Sequence, residues 1–398
     1  MGCVVILIAA PFVAHIYESP HIIGLLAILA LATPIGTLQI VPTAKLRSQM
    51  DFKTVSAIAL GQSVLQTVLT VAFAAMGAGV YAFVLPVPLV YAVASIVLWR
   101  IARPTVRSRD RLRHWRYLIG DSSYIFGQRL LVTIVVQGDY IILGALYGAT
   151  IVGPYFFAYG IATQAIRLTA GSLQLVLMAG LARMPAFSSQ QTQAALRATK
   201  AIALCGMPLC MLQAALAGPL LRAFYGEKWA AAIPLVQLLS IGLAFDVIAW
   251  PVCSLLESRG QFRFLFFWSS ASATIFILSV IIGANFGEAF GAALAVCIFY
   301  ALCSPPLAFW VFRSSGMRTR DIADIYIRPL LVAFISLGAT LGTIWLSAGV
   351  SPFLQVAFAA IAGVLAMVAA ARSIATEDWN DISAKLVSMF PNLAFIRK

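Results

Sequence analysis

The sequence predicts an all-α integral membrane protein with about twelve transmembrane helices. Composition is the first reason: of 398 residues, 62% are hydrophobic and only 10% are charged. A soluble domain is about half apolar and about a quarter charged. A chain this apolar has too little polar surface for water, and lipid is its natural solvent. The second reason is where its cations fall once the spans are marked.

A helix needs about 20 mostly apolar residues to cross a bilayer. Such segments lie at 3–17, 20–43, 54–76, 78–99, 120–144, 150–180, 201–224, 230–256, 262–284, 287–312, 329–349 and 351–371. The first is short. The sixth and eighth are long, which predicts tilt or an interfacial extension. Prolines inside spans, among them Pro34, Pro208 and Pro251, predict kinks.

Of the 27 Lys and Arg residues, 23 fall in alternate connections or at the C-terminal end. Lys45, Arg47 and Lys53 follow the second span, and seven arginines from Arg100 to Arg116 follow the fourth. The opposite connections carry Lys228 alone. The excess of positive charge in cytoplasmic loops then places these loops, and both termini, in the cytoplasm. The opposite connections, such as Gly77-Ala78 and Gly349-Val350, leave no room for an outer domain. That weighs against a membrane glycan polymerase or ligase working through large loops.

The net charge of +13 belongs to these loops, so nucleic acid is not the expected partner. The six cysteines lie in apolar stretches without a CxxC pair, and there are three histidines. No disulfide framework, metal site or cofactor is therefore expected. A nucleotide-driven pump is disfavoured because no phosphate-binding glycine loop occurs. Met1-Gly2-Cys3 leads straight into an apolar run, with no basic stretch to suggest a cleaved signal. Two polar stretches predict interfacial helices. One is Ser188–Thr199; the other is 376–390, with Thr376 as N-cap and Trp379, Ile382, Leu386 and Met389 at helical spacing.

Polar residues inside spans are costly and mark cavities or partners. The fifth span carries Gln128, Arg129, Gln137 and Asp139, with Asp121, Gln128 and Asp139 on one face. The sixth carries Gln164, Arg167 and Gln174, also on one face. The eighth carries Asp246 beside Trp250 and Pro251. Arg129 and Arg167, with Gln128, Gln164 and Gln174, are the expected substrate-cavity residues, the arginines suiting a phosphate group. Asp139 and Asp246 are the expected coupling-ion residues. The competing reading is structural, with Arg and Asp pairing between helices or Arg reaching the headgroups.

Four stretches carry a family resemblance. Val41–Lys53 resembles a cytoplasmic connection of bacterial polysaccharide export flippases, and Gly77, Gly79 and Val80-Tyr81-Ala82 resemble a short turn of that family. Asp139–Gly144 with Gly148, Gly153, Tyr155 and Ala158 is similar to its pattern around the seventh and eighth helices. Phe224–Trp229 with Ala232, Pro234 and Leu235 resembles the turn before its tenth. The superfamily also holds lipid II flippases and multidrug extruders. The resemblance implies two six-helix lobes around a central cavity. It further implies flipping of an undecaprenyl-pyrophosphate-linked oligosaccharide across the bacterial inner membrane for exopolysaccharide or O-antigen synthesis. Its partners would be that lipid-linked oligosaccharide, the bilayer, and a polysaccharide polymerase or export complex.

Set against that family, residues 1–99 form an N-terminal lobe of four spans, two fewer than expected. Residues 100–119 are the inter-lobe linker, 120–315 the C-terminal lobe, 316–372 two additional spans and 373–398 an amphipathic cytoplasmic tail. The alternatives to flipping are a drug or cation extruder of the same superfamily and, behind it, the glycan polymerase or ligase. Either flippase or extruder is a transporter rather than an enzyme.

Overall fold

The computed structural model describes residues 2–16, 21–104 and 115–380. It divides into two compact units, residues 1–112 and 113–398. Among the described residues, nine helices are long and apolar enough to cross a membrane, or ten when one bent pair counts as a single span.

The first unit contains α1 (Gly2–Ile16), α2 (His21–Thr37), α3 (Ile40–Ser48), α4 (Phe52–Ala75) and α5 (Pro86–Ala102). The second predicted span is bent: α2 and α3 meet at 41°. A bend strands the last carbonyls of a helix, and α5 supplies their donors. Ser95 donates to the Ile35 carbonyl (3.2 Å) and the Trp99 indole to that of Leu38 (2.8 Å). Lys45 returns the support, donating to the carbonyls of Ala102 and Arg103 at the end of α5 (2.8 and 3.1 Å), where a cation also meets the negative end of the helix dipole. Asp51 caps α4 by accepting from the Thr54 amide at 3.1 Å. That hydrogen bonding holds its carboxyl below the ordinary value. The basic stretch 41–53 is thus a pair of helix ends tied together.

The second unit contains α6 (Trp115–Tyr147), α7 (Ala149–Ile166), α8 (Ser172–Leu181), α9 (Ser189–Tyr225), α10 (Ile233–Asp246), α11 (Ala249–Ser258), α12 (Phe262–Ser314), α13 (Thr319–Leu346) and α14 (Pro352–Ile374). Helix α9 forms its axis and packs against α7, α10, α13 and α14. The predicted interfacial helix at Ser188–Thr199 is instead the opening of α9. Ser188 caps it by accepting from the Gln191 amide (3.1 Å). No breaker separates Thr199 from the apolar run, and Gln191, Thr192 and Thr199 are buried.

Helix α12 has 53 residues and would be about 80 Å long if straight, far more than the roughly 30 Å of bilayer hydrocarbon. It reverses at Gly287 and Glu288, the latter at φ 48°. Gly283 and Gly291 stand face to face across the reversal, each filling the place of the other's missing Cβ. Phe276 and Phe299 meet with ring centroids 5.1 Å apart, which confirms two antiparallel arms, the ninth and tenth predicted spans.

Helices α13 and α14 pack on each other and on α9. Ser336 donates to the Gly363 carbonyl at 2.9 Å, and Thr340 and Leu212 fill the space at Gly363. Residues 376–380 continue helically, and Trp379 packs against the cluster of Leu204, Val332 and Met367. Thr376 does not cap: its hydroxyl donates back to the Arg372 carbonyl (2.9 Å). Residues 381–390 of the predicted tail helix, and 105–114 of the predicted linker, lie outside the described residues.

Candidate functional site: a polar cavity in the second unit

The two long predicted spans, 150–180 and 230–256, are both broken. Between α7 and α8 the backbone forms a π turn, Arg167–Gly171. Between α10 and α11 it turns at Val247 and Ile248. The breaks converge on α9. A Cβ at Gly206 would lie 2.6 Å from Val247 Cγ1 and 3.0 Å from Thr169 Oγ1. A Cβ at Gly171 would lie 3.3 Å from the Trp250 ring. Discontinuous helices of this kind place backbone ends and polar side chains at membrane depth, where irregular backbone is tolerated beside a cavity.

A cavity of about 310 Å³ lies beside them. Helix α6 contributes Gln128 and Arg129, α8 Gln174, the end of α10 Asp246, α11 Trp250 and Glu257, and the arms of α12 Ser269, Tyr300 and Ser304. Asp246 accepts from the Trp250 indole (2.9 Å) and from Ser304 (3.5 Å). It stands at the C-terminal end of α10, where the helix dipole is negative, so cavity and dipole together favour a cation at this carboxyl. Arg129 pairs with Glu257 at 2.9 Å, with side chains 58% and 11% exposed.

The predicted site residues separate into two groups. Gln128, Arg129, Gln174 and Asp246 come together in this cavity. Gln164 and Arg167 do not line it; both are exposed, and the Gln164 amide donates to the Gly160 carbonyl (2.9 Å). The expected common face of Gln164, Arg167 and Gln174 assumed an unbroken helix, and the π turn between them shifts the register. Asp139 shares the face of Gln128 but lies three turns, about 16 Å, further along α6. There it is fully buried, accepting from Tyr155 (2.8 Å) and the Tyr140 amide (2.9 Å). Tyr140 packs edge-on against Tyr155 and Tyr159. The Asp139–Gly144 and Tyr155 stretches of the resemblance therefore meet as one buried cluster.

Glu257 escaped the sequence reading because it sits at a predicted span end. A signal was present: Asp246, Trp250, Cys253 and Glu257 are 4, 7 and 11 residues apart, which is one helical face. The break after Asp246 is compact enough to keep all four on the cavity.

The sequence profile of polysaccharide biosynthesis proteins matches residues 1–234. The chain belongs to that family. Among curated polysaccharide biosynthesis proteins it is similar to the teichuronic acid biosynthesis protein TuaB of Bacillus subtilis, 26% identical over 76% of this chain and 62% of that one. It is also similar to the succinoglycan biosynthesis transport protein ExoT of Rhizobium meliloti, 22% identical over 81% of this chain and 65% of that one. The chain thus spans just under two thirds of the length of these relatives. Among solved structures, the lipid II flippase MurJ in an inward closed conformation has a similar fold. Its TM-score is 0.72 at 13% identity, covering 93% of this chain and 79% of MurJ. A multi-pass, all-helical membrane fold is thereby common to this polysaccharide biosynthesis protein and a flippase.

Proposed function

We propose that this protein flips an undecaprenyl-pyrophosphate-linked oligosaccharide across the bacterial cytoplasmic membrane during polysaccharide synthesis. One observation carries the reading. An otherwise apolar bundle of this family, with the fold of a lipid II flippase, holds a polar cavity with Arg129 on its wall. A guanidinium at membrane depth suits a phosphate, which it binds through paired N–H donors. Arg167, exposed and without an ion pair among the described residues, offers a second cation. The basic loops face the cytoplasm in this reading, with both termini, and a polymerase or export complex receives the flipped product. Asp246 takes the coupling cation, whether proton or sodium, with Asp139 as the other carboxyl available at membrane depth.

The test is genetic. Arg129→Ala or Arg167→Ala, placed at the gene's own locus, is expected to abolish surface polysaccharide while the protein stays at normal level in the membrane. Normal polysaccharide in both strains removes these residues from the mechanism. The carboxyl of Asp246, which has no cationic partner among the described residues, favours a second reading, a drug or cation extruder. In that case Asp246→Asn abolishes efflux of cationic dyes and Arg129→Ala leaves both efflux and polysaccharide intact.

A further inference from the structure

A second void, of about 160 Å³, adjoins the cavity and reaches Ile125, Met178 and Phe262. These residues lie toward the end of the unit that carries Arg259 and Arg263. Gln128, Arg129, Glu257 and Leu265 line both voids. The two voids adjoin at these four side chains, and the Arg129–Glu257 ion pair lies where they meet.

The two partners are unequally placed. Arg129 is more than half exposed, so a ligand in the cavity can reach its guanidinium while the pair is still formed. Glu257 is nearly enclosed, and among the described residues its carboxylate has no other hydrogen-bond partner. A phosphate offers the guanidinium more acceptor oxygens and more charge than one carboxylate oxygen does. We propose that Glu257 holds Arg129 in place of the substrate, and that a phosphate headgroup arriving at Arg129 displaces Glu257 and joins the two voids. This gate rests on the reading of a phosphate-bearing substrate, and gives Glu257 a role in admitting it.

Cys253 lines the larger void and reports on the passage. The full-length protein, with Cys253 as its single cysteine, is reconstituted in nanodiscs, which leave both faces accessible. Labelling by a cationic and by an anionic methanethiosulfonate is timed with and without inorganic pyrophosphate. Pyrophosphate is expected to accelerate labelling of the otherwise unaltered protein several-fold with both reagents. Glu257→Gln is expected to label fast from the start, and Arg129→Gln to do so without any response to pyrophosphate. The proposal is overturned if pyrophosphate leaves the unaltered protein slow, or if Glu257→Gln labels as slowly as its parent. Opposite responses of the two reagents also overturn it, since they would report local charge rather than an opening. Failure of the lipid-linked substrate reading shows elsewhere, as normal surface polysaccharide in both the Arg129→Ala and the Arg167→Ala strains.

Discussion

Gly242 of α10 packs against the main chain of Cys297 in the second arm of α12, and an alanine there gives a quantitative test of the fold. Its added Cβ would stand 2.7 Å from Cys297 Cα and 3.4 Å from Cys297 N and Cβ. The obstacle is main chain, which cannot rotate aside. Ordinary contact begins near 3.4–4 Å, so α10 and the second arm of α12 must part by about 1 Å. Overpacking of this kind costs about 1–3 kcal/mol, against about 0.5–1 kcal/mol gained when alanine replaces a helical glycine. Gly338→Ala in α13 supplies the control, because nothing lies within 4 Å of its new Cβ. The propensity gain is common to both, so the difference between them isolates the packing term of about 1–3 kcal/mol. Reversible unfolding in mixed detergent micelles measures it. Equal stability of the two variants would refute the apposition of α10 and α12, and with it the position of Asp246, one helical turn beyond Gly242.

Two further substitutions probe the polar contacts. Tyr155→Phe removes the hydroxyl that reaches Asp139. It should cost about 1.5–3 kcal/mol if that carboxyl is charged and about 0.5–1.5 kcal/mol if it is neutral. A double-mutant cycle with Asp139→Asn reads the coupling, and none at all would mean the pair is not bonded. Arg259 donates to Gln191 (3.1 Å), Ser315 (2.8 Å) and Thr192 (2.6 Å) and lies over the Phe187 ring. Arg259→Ala should cost about 1–3 kcal/mol by removing three hydrogen bonds from a charged donor. Lysine should recover only part of this, having a point charge rather than a fork; full recovery by lysine in the same unfolding assay would contradict the described geometry.

The fold was legible where it depends on one-dimensional properties. Hydropathy located some spans to within a few residues: 54–76 became Phe52–Ala75 and 351–371 became Pro352–Ile374, while the polar openings of α9 at Ser189 and α13 at Thr319 fell outside the predicted 201–224 and 329–349. Polar residues at membrane depth pointed to Gln128, Arg129, Gln174 and Asp246. Sequence reasoning failed where helical register was interrupted. Nothing in Arg167–Gly171 marks a π turn, because such a turn is set by the tertiary packing of Gly171 on Trp250 and of Thr169 on Gly206. Without it the alignment of Gln164, Arg167 and Gln174 looked secure. Glu257 was hidden differently. A carboxylate three residues from Gly260 reads as a loop charge until the opposing helix supplies its arginine.

The reversal at Gly287 and Glu288 bears on how the chain enters the membrane. The arms of α12 meet in two residues of non-helical backbone, so almost nothing of this connection is left outside the bilayer to be moved across it. The cations Arg259 and Arg263 at the foot of the first arm and Arg313 and Arg318 at the foot of the second all lie at the same end of the hairpin. Insertion of the arms one after the other would leave the first held in place without a charged segment beyond it. The two arms, already locked at Gly283 and Gly291, are suited to enter as one unit, with cations at both feet to bias its direction.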